Sequence, residues 1–174
     1  MNTRMLTGAL IALAASTASA ENTDQPYALH VQETVVVQGH DAFHSPYRGQ
    51  QSLDPGARGD ETADVTIYAG LRPWRGAELW INPEIDQGFG LSDTLGAAGF
   101  PSGEAYKVGA RTPYLKLPRL FLRQTVSLGG DRQTTDGDLN VLGGSRAADR
   151  LVFTVGKFGV PDVFDQNSYA HDPR

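Results

Sequence analysis

Cysteine is absent from the 174 residues, so no disulfide stabilises this chain, and an exported protein without one must rely on packing or sheet closure. Beyond residue 20 there is also no unbroken apolar run near the ~20 residues that a membrane-crossing helix needs. If the protein spans a bilayer, it does so as a β-barrel, because only helices and closed barrels satisfy every backbone polar group in lipid. Positive charge is in deficit: the formal net charge is −5, which disfavours a nucleic-acid partner. The Gly-x-Ser-x-Gly elbow, the His-Glu-x-x-His pair and the Walker phosphate loop are missing too, which removes the local marks of hydrolases, metalloproteases and nucleotide enzymes. The expectation is a protein without catalytic residues or cofactors.

What is present starts with an export signal. Arg4 lies in a short n-region, an apolar stretch runs from Met5 to Ala15, and Ala18-Ser19-Ala20 ends it before polar Glu21-Asn22-Thr23-Asp24. This pattern predicts cleavage after Ala20, with residues 1–20 a signal peptide and 21–174 the mature domain. Loss of Arg4 makes the mature charge one unit more negative.

The mature chain alternates. Leu29, Val31, Val35 and Val37 share one side of a stretch whose other side carries His30, Gln32, Thr34 and Gln38, with Glu33 interrupting the apolar side. Ala63, Val65, Ile67, Ala69 and Leu71 alternate with Asp64, Thr66, Tyr68 and Gly70, the clearest strand in the chain. After the breaker 72–76, Leu79 and Ile81 oppose Glu78, Trp80 and Asn82, which predicts an antiparallel hairpin. A fourth strand over 119–128 places Arg119, Phe121, Arg123, Thr125 and Ser127 opposite Leu120, Leu122, Val126 and Leu128. A fifth over 150–158 sets Leu151, Phe153 and Val155 against Arg150, Thr154 and Gly156, although Val152 blurs it.

Strands of about 9–11 residues, apolar outside and polar inside, with short turns alternating with long loops, match outer-membrane barrels. The Gly- and Asp-rich stretch 129–148 departs from that rule, since it falls where a short turn belongs. The 40% hydrophobic content with 20 Gly and 10 Pro suits a strand-and-turn protein but does not separate a barrel from a soluble β-sandwich.

Four local patterns invite chemistry. Glu84 and Asp86, at i and i+2 on one strand face, have the pairing used in glycoside hydrolysis, yet any polar strand face generates it, and a pore-lining or sugar-contacting role is the better reading. His40 and His44 lack a third ligand, and no metal is expected there. Asp136-Gly137-Asp138 resembles a fragment of a calcium loop without the remaining ligands and reads as a turn. Trp80, Tyr68 and Phe121 lie on the polar sides of their strands, where they either stack on a sugar ring or pack beneath an inward-folded loop; the pattern leaves both open.

Several stretches carry a family resemblance: FHSPYRG from Phe43 to Gly49, ELWINPEIDQGFG from Glu78 to Gly90, GLSDTLGAAGFPSGEAYKVG from Gly90 to Gly109, LPRLFLRQT from Leu117 to Thr125, and ADRLVFTVGKFGVPDVFDQNSYAHDPR from Ala148 to Arg174. Together they cover most of the mature chain, and they are similar to the carbohydrate-selective porins of Gram-negative outer membranes, the OprB family. The resemblance implies a monomeric antiparallel barrel of about sixteen strands, with loops folded inward and a lumen of charged and aromatic groups that passes sugars down their gradient. Its implied partners are sugars, outer-membrane lipid and the assembly machinery that inserts such barrels.

Family members have several hundred residues, so the chain to Arg174 is expected to be the N-terminal part of a barrel, without the later strands and terminal aromatic. The fold class is therefore all-β, an incomplete outer-membrane barrel, with Glu84, Asp86, Trp80, Arg119 and Arg123 as the leading pore-lining residues, and Tyr68, Asp64 and Glu78 behind them. The rival readings are a soluble periplasmic carbohydrate-binding sandwich, an inactive truncated remnant, and an envelope hydrolase using Glu84 and Asp86.

Overall fold

The computed structural model describes residues 24–50, 52–93 and 109–164; the expected signal peptide with its cleavage site at Ala20 lies outside them. Five strands make one sheet in the order β1-β2-β3-β4-β5: β1 Tyr27–His40, β2 Arg58–Leu71, β3 Ala77–Gly88, β4 Ala110–Thr135 and β5 Gly144–Lys157. A 3-10 turn, Leu91–Asp93, follows β3, and a four-residue helix, α1 Pro161–Phe164, follows β5. All five predicted strands form, each longer than its alternation indicated.

Two of those extensions have identifiable causes. Along β4 the half-buried positions are Tyr114 and Lys116, then the buried ones are Arg119 and Phe121, so the alternation changes phase across Leu117-Pro118. A simple period of two read backwards from Arg119 therefore fails at that point. At the other end, β4 continues through the Gly-rich stretch 129–135 instead of stopping. Its antiparallel pairing with β5 runs from Leu120↔Lys157 to Thr135↔Gly144, with register shifts between Ser127 and Gly129 and between Gly129 and Arg132. Gly129 (φ 130°) and Gly130 (φ 79°) take the backbone through these irregularities, which non-glycine residues resist. The stretch 129–148 is thus mostly ladder, and only residues 136–143 form the β4–β5 turn. That restores the order of links: 72–76 and 136–143 are short, while 41–57 and 89–109 are long.

The polarity of the sheet is inverted relative to a soluble protein. The described residues form two compact units. In the one built from 32–65 and 85–116, Thr62, Asp64 and Asp86 are buried, while Val35, Val37, Ile85 and Leu115 are exposed. In the other, built from 24–31, 66–84 and 117–164, Thr66, Glu78, Asn82, Glu84 and Arg119 are buried, while Leu29, Val31, Ile81, Leu120, Phe153 and Val155 are exposed. An apolar side chain of this size left in water forgoes about 1.5–3 kcal/mol, so a row of them on every strand requires an apolar surrounding. The sandwich expectation needs the reverse arrangement, with apolar faces buried against a second sheet. Among the described residues there is one sheet.

The second unit also holds a small apolar cluster on its buried face: Ala28, Tyr68, Trp80, Phe121 and Leu142, with Leu139 and Phe158 packed against it. Trp80 and Tyr68 are fully buried. The indole lies directly over Gly70, where a Cβ would come within 2.5–2.6 Å of the ring. A residue without a side chain is what makes that seat flat.

Candidate functional site

The centre of the buried face in the second unit is Glu78, the second residue of β3 and 2% exposed. Its Oε1 accepts a hydrogen bond from Arg146 Nη2 at 2.6 Å. Its Oε2 accepts from Arg123 Nη1 at 3.3 Å, the Leu142 amide at 3.2 Å and Trp80 Nε1 at 3.3 Å. Two guanidiniums and two N–H groups replace the water that this carboxylate lost on burial.

Around it the turn 136–143 folds in over the sheet. The three carbonyls that point inward are each taken by an arginine from a different element: Asn140 O by Arg123 Nη1 at 2.8 Å, Leu142 O by Arg146 Nη2 at 3.0 Å, and Gly143 O by Arg72 Nη2 at 3.1 Å. Gly143 and Gln25 exchange hydrogen bonds, the Gln25 amide to Gly143 O at 3.0 Å and the Gly143 amide to Gln25 Oε1 at 2.9 Å. Asp138 and Val141 close the turn by reciprocal backbone bonds of 2.9 and 3.0 Å. The Asp136-Gly137-Asp138 run is therefore part of a turn, as its composition indicated. Leu142, fully buried, is the apolar residue this turn places on Trp80, Tyr68 and Phe121.

Trp80, Tyr68 and Phe121 pack under an inward-folded turn, at 0%, 0% and 3% exposure. Glu84 Oε2 accepts from Thr66 Oγ1 at 3.0 Å. Arg119, 5% exposed, is held in a two-pronged pair by Asp162 of α1, at 2.8 and 2.7 Å. In the other unit, Asp86 pairs with Lys116 Nζ at 2.5 Å, and Asp64 is buried at 1% exposure. The eight residues named from the alternation all lie on buried faces, and Glu78, Trp80 and Arg123 meet directly. Arg72, Asn140, Leu142 and Arg146 were not foreseen. For the last three the only signal was the Gly- and Asp-rich stretch that did not fit a short turn, and Arg72 sat in the breaker 72–76.

The links at the long-loop end are cross-braced within the first unit. Asp54 binds Arg48 at 2.7 Å and its amide donates to Ser92 Oγ at 3.0 Å, while the Ser92 amide donates to Asp60 Oδ2 at 2.8 Å. The Gly56 amide donates to the Asp54 carboxylate, and this bond, with Arg48 and Arg58 nearby, holds its pKa below the ordinary aspartate value against the opposing effect of desolvation. His40 Nδ1 donates to the Asp41 backbone carbonyl at 2.9 Å, and the ring meets Phe43 edge-on; no cluster of three metal-ligating side chains occurs among the described residues.

An antiparallel sheet with buried polar faces, exposed apolar faces, and alternating short and long links belongs to the class of transmembrane β-barrel sheets. A sequence profile of the carbohydrate-selective porin, OprB family, matches residues 50–174, and the chain belongs to that family. No curated protein and no solved structure matches it.

Proposed function

We propose that the five described strands of this chain are part of a larger closed barrel that passes saccharides across the outer membrane by passive, selective diffusion, with no covalent step. The observation that carries the reading is the inverted sheet. Its exposed faces suit lipid, and its buried faces line a path with acceptors (Glu84, Asp86, Asp64, Glu78) and donors (Arg119, Arg123, Lys116) but no single-sign field. Exposed Tyr27 and Trp74 at the short-turn end, at 68% and 55%, suit an interfacial aromatic girdle. Closure needs more strands than five, since an open sheet in lipid leaves unpaired edges.

In this reading Glu84 and Asp86 bind hydroxyls and do not act as acid and base: each is engaged by a neighbour, Glu84 by Thr66 and Asp86 by Lys116. Assembly as a monomer by the outer-membrane insertion machinery, after removal of residues 1–20, completes the proposal. The test is to sequence the gene beyond codon 174 and record the complete product in planar bilayers. Current that saccharides reduce, together with sugar flux into liposomes, supports the reading. A stop after Arg174 with a water-soluble monomeric product overturns it and favours the sandwich.

A further inference from the structure

Within the second unit, the β4–β5 hairpin overshoots its neighbours and comes back. The Thr125 amide donates to Gly76 O at 2.7 Å, at the foot of β3, yet β4 continues from Val126 to Thr135 with β5 paired beside it as far as Gly144. Carried straight on at ~3.3 Å per residue, that ladder would stand about 30 Å clear of β3. Its tip lies instead over the buried face, where Leu142 joins the cluster of Trp80 and Tyr68 and Arg146 reaches Glu78. The bend falls at Gly129 and Gly130, where positive φ and two register shifts interrupt the ladder; such irregularities turn a strand, and glycine takes these φ values without strain.

The far side of the tip is held by the chain ahead of β1. Gln25 bonds Gly143 through both its amide and its Oε1, and Asp24 Oδ1 accepts from the Ser145 amide at 3.0 Å. Arg72 ties the two segments together, donating from Nε to Gln25 O at 3.0 Å and from Nη2 to Gly143 O at 3.1 Å. A Cβ at Gly137 or Gly143 would stand 2.7 or 3.3 Å from Gln25 Oε1, so these two glycines let the tip sit this close. The arm therefore leaves the sheet at β4 and β5, passes over β3 and β2, and ends on the segment that opens β1.

We infer that this arm, residues 129–149, is a fixed bar across the short-turn mouth of the channel and sets the largest solute that passes there. The inference rests on the closed-barrel reading above, in which the buried face is the lumen side, and adds to it a size filter at one named end and the residues that build it. An arm anchored at its root and its tip narrows the path permanently, whereas a hairpin free at its tip would swing aside. The space left between the tip, β4 and α1 is a cavity of about 370 Å³, lined by Asp138, Asn140 and Val141 of the arm and by Arg119 and Phe158 opposite. Width separates solutes of like chemistry by their bulk, so the bar discriminates among saccharides by length and not by the identity of their rings.

The experiment records the complete product of the gene in planar bilayers in KCl, and measures entry of D-glucose and maltohexaose into liposomes that carry it. In a shortened variant, residues 130–148 are replaced by Asn-Gly, which closes the Gly129↔Asp149 pair as a two-residue hairpin. Loss of the arm raises single-channel conductance about twofold and the maltohexaose-to-glucose rate ratio about fivefold. A second variant leaves the arm whole: Asp138→Cys, exposed at the tip, is labelled with a sulfonate-bearing methanethiosulfonate in a background without other cysteines, with labelling confirmed by mass. Its current falls by about half, and the unsubstituted background does not respond. Unchanged conductance and rate ratio in a shortened variant that still opens channels overturn the bar while leaving the channel standing. Unchanged current after labelling of Asp138→Cys does the same, and decides the matter if the shortened chain does not insert. A parent protein that passes no saccharide overturns the channel reading, and the bar with it.

Discussion

Replacing Glu78 by glutamine isolates what the buried carboxylate does. The substitution keeps an oxygen that can accept from the Leu142 amide, so the loss is one of charge. Arg146 and Arg123 then keep the carbonyls of Leu142 and Asn140 but lose their counter-ion, and a side-chain NH₂ turns toward at least one of them. Removing one member of a fully buried ion pair costs about 3–5 kcal/mol. The two arginine side chains are 18% and 23% exposed, so water recovers part of that, and about 2–3 kcal/mol is expected. The natural readout is Trp80, whose Nε1 donates to the same carboxylate. The chain has two tryptophans, so a Trp74→Phe background leaves Trp80 as the sole reporter. Urea unfolding of the protein folded in detergent micelles, followed by that fluorescence, should show a lower midpoint for Glu78→Gln and a red-shifted emission as the turn 136–143 loosens. The exposed pair Arg48–Asp54, at 65% and 25% side-chain exposure, is the internal comparison: Asp54→Asn should move the midpoint far less than Glu78→Gln does. Equal midpoints and equal Trp80 emission for Glu78→Gln and its parent would refute the assignment of this carboxylate as the anchor of the turn.

Gly70→Ala should cost about 1–3 kcal/mol, because the new methyl meets the Trp80 ring at 2.5–2.6 Å and that ring is fully buried in the apolar cluster; the same fluorescence unfolding measures it, and Ala tolerated without change would show that Trp80 does not need this seat. Lys116→Met leaves Asp86, 1% exposed, without its cation, and should lower stability by about 2 kcal/mol and move the channel toward cation selectivity, read as a reversal potential in a salt gradient. The Asp54 pKa is depressed by the Gly56 amide first and by Arg48 and Arg58 as well. Its contribution to anchoring 41–57 is therefore fully present above the ordinary aspartate range and is lost as pH falls through the lowered value. Hydrogen exchange of the Gly56 amide across that acidic window should report the release, and exchange that is independent of pH after correction for intrinsic rates would contradict it.

The strands were legible because a membrane sheet writes its two environments into alternate positions, and Ala63–Leu71 does so without interruption. Two features resisted that logic for physical reasons. The phase change at Leu117-Pro118 breaks the period that carried the prediction, so β4 was seen only from Arg119 onward. The glycines at 129 and 130 have the composition of a loop but serve as irregularities within a paired ladder. The polar face of the site was visible residue by residue, yet its organisation was not. Arg72 sat in the breaker 72–76 and Arg146 in an unassigned stretch, and nothing in local spacing says that they, with Arg123, converge on three carbonyls of one turn.

Leu142 makes the more general point. In a sheet of inverted polarity, aromatic residues on the buried polar side of a strand are out of place unless something apolar returns to meet them. Tyr68, Trp80 and Phe121 occupy such positions on three separate strands, and the chain answers them with a single turn that brings in buried Leu142, with Leu139 packed against the cluster, and whose backbone carbonyls are taken by arginines. The three rings lie buried beneath that turn, at 0–3% exposure, and Phe158 packs against them half-buried. Misplaced apolar residues on a polar strand face therefore indicate where the chain re-enters the lumen, and the groups that line the path are then the ones the returning turn leaves uncovered.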